Sequence, residues 1–185
     1  MVKNKLIFWF LGWLIIMILL VVITQPESRP SKFDTINFDT TESAELYFKN
    51  VRSFFYSTEE EGEGTFNAYR LKAMYSDTEE FGIRFVIYNN WRQNMAFIRI
   101  DTNHTDFNNI EYLVSASANG ETDTIFTPDL FNASQYRFAQ SIFFAARNKK
   151  RIGIPQGNDT LWVSESQMVN LRKNLRDYFK LVGRL

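Results

Sequence analysis

Phe81 to Asp101, FGIRFVIYNNWRQNMAFIRID, decides the fold. Apolar side chains recur at every second position on either side of a polar centre: Ile83, Phe85 and Ile87 before it, Ala96, Ile98 and Ile100 after it. A period of two is that of a half-buried strand, so residues 81–88 and 95–101 read as an antiparallel hairpin. A two-residue turn at Asn89-Asn90 would set Phe85 against Asn94 and Ile87 against Arg92. With Asn89 to Asn94 as the loop, Ile87 faces Ala96, Phe85 faces Ile98 and Ile83 faces Ile100. The longer loop is preferred because register follows the apolar face. On the opposite face that register sets Val86 against Phe97 and Arg84 against Arg99. Like charges directly across a ladder repel, so an acidic group is expected beside them, from the protein or from a ligand. Arg84 and Arg99 are therefore the candidate ligand-binding residues, two guanidiniums suited to a carboxylate or phosphate.

Working outward, Thr65 to Tyr75 alternates loosely, with Tyr69, Leu71, Ala73 and Tyr75 on one face. The preceding acid cluster, Ser57 to Gly64 (STEEEGEG), is expected to be a solvated turn. Downstream, Asn119-Gly120 fits a two-residue type I′ turn, which pairs Val114 with Ile125, Leu113 with Phe126 and Ser115 with Thr124. Pro128 closes that hairpin, and Ile152 to Val163, with Gly157 at its centre, reads as a further short hairpin. The expected sheet is an antiparallel meander of four to five strands plus that short hairpin.

Three helices are expected to pack it. From Thr41, a suitable N-cap, Ala44, Tyr47, Phe48, Val51, Phe54 and Phe55 follow helical spacing. Asn132 to Lys149 places Tyr136, Ala139, Ile142, Phe143 and Ala146 on one stripe, widened by Phe138 and Phe144. The last helix opens with a capping box, Ser164 to Gln167, and its stripe runs through Met168, Leu171, Leu175, Tyr178, Phe179 and Val182. Its other side carries Arg172, Lys173, Arg176 and Lys180, a candidate basic face toward a partner or lipid.

The amino-terminal end is of another kind. Leu6 to Ile23 is 18 residues long, and every position except Gly12 is apolar. At about 1.5 Å of rise per residue it covers roughly 27 Å, close to the hydrocarbon core of a bilayer. The run exceeds the h-region of a signal peptide, and Thr24 to Ser28 offers no A-x-A-like cleavage site. The expectation is a single uncleaved transmembrane anchor in residues 1–24, an extended linker in 25–40 around Pro26 and Pro30, and one α+β domain in 41–185. Lys3 and Lys5 abut the span, whereas Arg29 and Lys32 lie farther out among Glu27 and Asp34. The positive-inside rule then puts the amino terminus in the cytoplasm and the domain outside.

Composition narrows the function. The chain of 185 residues has 21 basic and 21 acidic side chains and no cysteine. It lacks the basic stripe of a nucleic-acid binder, and disulfides, thiolate metal sites and cysteine nucleophiles are excluded. Charge is uneven: residues 27–136 hold 9 basic against 18 acidic groups, and residues 137–185 hold 10 against 3. The single histidine, His104, lies in a polar segment, Asp101 to Asp106, without the Gly and Glu of an EF-hand loop. No G-x-S-x-G, H-E-x-x-H, P-loop or G-x-G-x-x-G occurs. The reading is a membrane-anchored accessory or interaction domain, non-catalytic and without metal or cofactor, with a protein partner in a membrane complex. An anion-sensing domain using Arg84 and Arg99 is the second reading, and a hydrolase without a recognisable motif the third.

Overall fold

The computed structural model describes Trp13, Phe33 and residues 35–75, 82–102 and 107–185, with the backbone alone at Asn108. The chain divides into two units, Met1–Lys32 and Phe33–Leu185. Of the first unit only Trp13 is described, helical and exposed. The expected anchor, Leu6 to Ile23, otherwise lies outside the described residues, as do His104 and its loop. Among the described residues no helix is long and apolar enough to cross a membrane.

The second unit is α+β, with antiparallel sheets. A front segment begins as α1 (Glu42–Tyr47). Strands β1 (Tyr56–Glu61), β2 (Phe66–Leu71), β3 (Ile83–Asn90) and β4 (Met95–Thr102) form one sheet in that order. Strands β5 (Tyr112–Ala116) and β6 (Thr122–Phe126) pair with each other; α2 (Asn132–Arg147) follows, then β7 (Arg151–Gln156), β8 (Asp159–Trp162) and α3 (Glu165–Leu181). The second sheet has the order β6-β5-β7-β8. The expected single meander is thus two four-stranded sheets, because β7 returns from α2 to pair with β5.

The central hairpin keeps its apolar face but not the expected register. Asn89 and Asn90 belong to β3, Asn90 pairs with Met95, and the loop is Trp91 to Asn94, closed by Asn94 at φ +51°. The pairing moves by two residues, so Phe85 faces Ile100 and Ile87 faces Ile98. A shift of two preserves which side chains point inward. It also separates the arginines: Arg84 faces Asp101, and Arg99 faces Val86. The shift removes the expected juxtaposition of like charges and sets an acidic residue across from Arg84.

The β5–β6 hairpin differs by one residue, which exchanges faces. Gly120 N–H donates to Ser117 C=O (3.1 Å), Ser117 N–H donates to Glu121 C=O (2.9 Å), and Gly120 has φ +88°. Ala118 to Gly120 is therefore a three-residue loop rather than a type I′ turn. Leu113 consequently faces Ile125, both buried, and Phe126 is 74% exposed. Residues 152–163 form the expected short hairpin, β7–β8, which turns at Gly157-Asn158 with Gln156 paired to Asp159.

The core lies where α2 and α3 cover β3 and β4 and where α2 also meets β6 and β7. Tyr136, Ile142, Leu171, Leu175, Tyr178 and Phe179 are fully buried, as the helical stripes predict. Gln135 supplies what the stripes do not: its Oε1 accepts from Ile100 N–H (2.9 Å) and its Nε2 donates to Asp129 C=O (2.7 Å). It thereby satisfies a donor of β4 that no strand reaches. Residues ahead of Thr41 also join this unit: Phe33 lies 5.0 Å from the Phe179 ring, and Phe38 5.1 Å from Phe97. Gly153 pairs with both Val114 and Trp162. A Cβ there would stand 2.6 Å from Thr160 Cγ2 and 2.9 Å from Leu161 C=O. Gly153→Ala is expected to destabilise the domain by about 2 kcal/mol in denaturant unfolding, since backbone on one side cannot yield.

Candidate functional site

The front segment starts as its sequence dictates. Thr41 Oγ1 accepts from Ala44 N–H (3.2 Å), and Glu42 and Glu45 occupy the first turn. After Tyr47 the helix widens into a π turn, Phe48–Arg52, and ends in a 3₁₀ turn, Ser53–Phe55. A π turn takes in an extra residue, so everything after it rotates away from the α-helical phase. Of the predicted stripe, Phe48 alone is buried, packed on Tyr56 and Tyr69. Leu46, Tyr47, Val51, Phe54 and Phe55 are exposed, Phe54 to 73%.

Arg52 turns inward instead. Its Nε lies 2.9 Å from both carboxylate oxygens of Asp177 on α3, and a terminal nitrogen lies 2.7 Å from Oδ2. The hydroxyl of Tyr56, the first residue of β1, donates to the same oxygen (2.9 Å). Burial first, then the Asp177 charge, pushes the Tyr56 phenol well above its ordinary value. The hydrogen bond to Asp177 holds the Arg52 guanidinium above its own.

This cluster divides the predicted basic face. Lys173 and Lys180 lie one turn either side of Asp177 and are half-buried against the front segment, with Lys173 Nζ 4.5 Å from the Phe55 ring centroid and Lys180 Nζ 5.7 Å from that of Tyr47. Arg52 also lies over Phe55, at 4.8 Å. Arg172 and Arg176 are exposed. The result is a row of exposed apolar and aromatic side chains with cations seated on its rings.

Beside that row is a cavity of about 360 Å³ between α1 and the inner face of β2 and β3. Asn67, Tyr69 and Asn89 line it from the strands, Glu42 and Glu45 from the helix, and Trp91 from the β3–β4 loop. Register explains the strand residues: Asn67 pairs with Asn89 and Tyr69 with Ile87, so they share a face. Thr40 Oγ1 donates to Glu45 Oε1 (2.5 Å), fixing that carboxylate. Burial, then the Glu45 charge, raises the Tyr69 phenol.

Arg84 and Arg99 occupy the outer face of the first sheet, diagonal to each other rather than opposed. Arg84 is buried, 4.6 Å over the Tyr75 ring, and Tyr75 donates to Asp101 Oδ2. Arg99 lies 5.8 Å from the Tyr88 ring centroid. Arg70, on the same face, is answered by Glu59 (2.6 Å) and Glu61 (2.8 Å) from β1, the segment read from sequence as a turn. Among the described residues no three His, Cys, Asp or Glu side chains are grouped to hold a metal ion. Sequence reasoning missed Arg52, Asp177 and Asn89. The first two break apolar stripes, and Asn89 was assigned to a loop. No protein-family model, curated protein or solved structure matches the chain.

Asp177→Ala leaves Arg52 and Tyr56 without their partner and is expected to destabilise the domain by about 3 kcal/mol in denaturant unfolding. The pH dependence follows from Tyr56. Its phenol holds its proton longer in the folded than in the unfolded chain, so its contribution is complete below the ordinary tyrosine value and is lost as pH rises past it. Stability measured from pH 9 upward should fall, and Tyr56→Phe should flatten that fall.

Proposed function

We propose that the chain is a membrane-anchored, non-catalytic interaction domain. In this reading Leu6 to Ile23 spans the bilayer, the amino terminus is cytoplasmic, and the domain engages an acidic protein partner at the outer surface of the same membrane. The observation that carries it is the row Leu46, Tyr47, Val51, Phe54 and Phe55, exposed and capped by Lys173, Lys180 and Arg52. Five exposed apolar side chains within ten residues of one segment mark an interaction surface. Lys173 and Lys180, seated on its rings, favour a partner with carboxylates around an apolar centre, because these ammoniums then exchange water for charge-assisted hydrogen bonds, whereas Arg52 is held by Asp177. A protein fits better than anionic lipid: Glu42 and Glu45 lie at one end of the row, where a lipid surface of uniform negative charge would repel them.

Carbonate-washed native membranes carrying the full chain test this reading. The protein should stay in the pellet, and zero-length carbodiimide coupling should join Lys173 to a carboxylate of one discrete partner. Phe54→Ser or Lys173→Glu should lower formation of the partner complex about tenfold, without a change in melting temperature. Release by carbonate removes the anchor. Undiminished complex with either variant, or binding of the wild-type face to phosphatidylglycerol vesicles in place of a protein, removes the docking face.

A further inference from the structure

The β5–β6 hairpin and its exit into α2 expose apolar side chains of their own. Tyr112 and Phe126 are cross-strand partners at the end of the hairpin away from its loop, and both are exposed, unlike the neighbouring pair Leu113 and Ile125. Leu130 and Phe131 follow shortly after Phe126, exposed to 90% and 75%. They do not sit on a loose loop. Phe131 N–H donates to Asp129 Oδ1 (2.9 Å), Asp129 N–H to Ser134 Oγ (3.2 Å), and Gln135 Nε2 to Asp129 C=O. Apolar side chains exposed singly need no explanation, but four on one hairpin and its pinned exit mark a second interaction surface.

Its charge is the reverse of that of the aromatic row. From Glu111 to Phe131 the chain has four acidic residues, Glu111, Glu121, Asp123 and Asp129, and no lysine or arginine. All four are exposed. Asp123 is paired with Lys150, and the other three form no ion pair among the described residues. The row, by contrast, has Lys49 and Arg52 and no acidic residue between Leu46 and Phe55, and Lys173 and Lys180 of α3 rest on its rings. One copy of the chain thus carries both halves of a complementary pair, apolar groups among cations and apolar groups among carboxylates.

Each occupant of the hairpin surface can be weighed against these charges. An anionic membrane is repelled by the carboxylates. A twofold contact would set hairpin against hairpin or row against row, and like charges would meet in either case. Row against hairpin buries apolar side chains on both partners and brings ammoniums to carboxylates. The two surfaces share no residue, so the contact is heterologous, and each copy keeps one surface open for a further copy. Tethering in one membrane raises the concentration at which the two surfaces meet.

Resting on the reading of the row as a docking face, we infer that its acidic partner is a second copy of this chain, bound head to tail. Phe54 and Lys173 of one copy lie against Phe131 and Glu111 of the next. The product is a line of domains along the membrane surface rather than a closed dimer.

The full chain in phosphatidylcholine liposomes, free of other proteins, tests this by energy transfer between donor- and acceptor-labelled copies. Wild-type copies should show transfer that rises with the protein-to-lipid ratio. Carbodiimide coupling should give dimers and higher species, with Lys173 or Lys180 of an isotope-labelled copy joined to a carboxylate between Glu111 and Asp129 of an unlabelled one. Glu111→Lys with Phe131→Ser should lower association at least tenfold; serine is a favoured N-cap for α2, so the melting temperature should not fall. Phe54→Ser with Lys173→Glu should lower it equally. A mixture of these two double variants should recover transfer, because one keeps the row and the other keeps the hairpin, and coupling of that mixture should stop at dimers. Absence of wild-type transfer, undiminished transfer in either variant alone, or no recovery in the mixture overturns the inference. If purified copies stay apart while Lys173 couples to a different protein in native membranes, the docking face stands and a second copy is not its partner.

Discussion

The carboxylate of Asp177 ties the last helix to two neighbouring points near the front of the domain, Arg52 and Tyr56, 125 and 121 residues away in sequence. It receives Arg52 from the front segment and Tyr56 from the start of the first sheet, and itself belongs to the last helix. A buried carboxylate is tolerated only when paired and hydrogen-bonded, and here both conditions are met by residues that must be in place together. Phe48 is the front segment's one buried apolar side chain, so polar contacts carry much of its attachment. Its position, and hence the exposure of Phe54 and Phe55 and the opening of the cavity beneath Glu45, depends on that ionic seam.

The π turn is the other half of the same constraint. The sequence spacing of residues 44 to 55 puts Ala44, Tyr47, Phe48, Val51, Phe54 and Phe55 on one α-helical stripe that does not include Arg52. With the π turn at Phe48–Arg52, most of that stripe is exposed and the Arg52 guanidinium reaches Asp177. π turns cluster at functional sites, and this one lies between the aromatic row and the cavity.

How much of this was legible follows from which physics acted locally. The stripes of α2 and α3 and the inward face of β3 and β4 are set by burial of large side chains, and periodicity reports that directly: Tyr136, Phe85 and Leu175 lie where their spacing puts them. The strand β1 was hidden because Glu59, Glu60 and Glu61 carry no apolar alternation; it forms through pairing with β2 and through Arg70. Register in the central hairpin is set by a turn at Asn94 that hydrophobic matching does not see, and in the β5–β6 hairpin by a three-residue loop ending at Gly120 where the Asn-Gly pair suggested a two-residue one. The site was legible only in fragments. Lys173 and Lys180 were visible as charges, but that they rest on Tyr47 and Phe55 depends on a distortion with no signature in the spacing.

The first sheet ends, on its β1 side, in a fringe of glutamates. An open strand edge presents unpaired N–H and C=O groups that any extended peptide can zip onto, and charge is a common deterrent to that templating. Two copies of this domain brought edge to edge would align like charges in register. Crowding therefore favours encounter through faces rather than growth of a continuous ribbon, so the acid run that carries no catalytic motif still earns its place as protection against fibre formation.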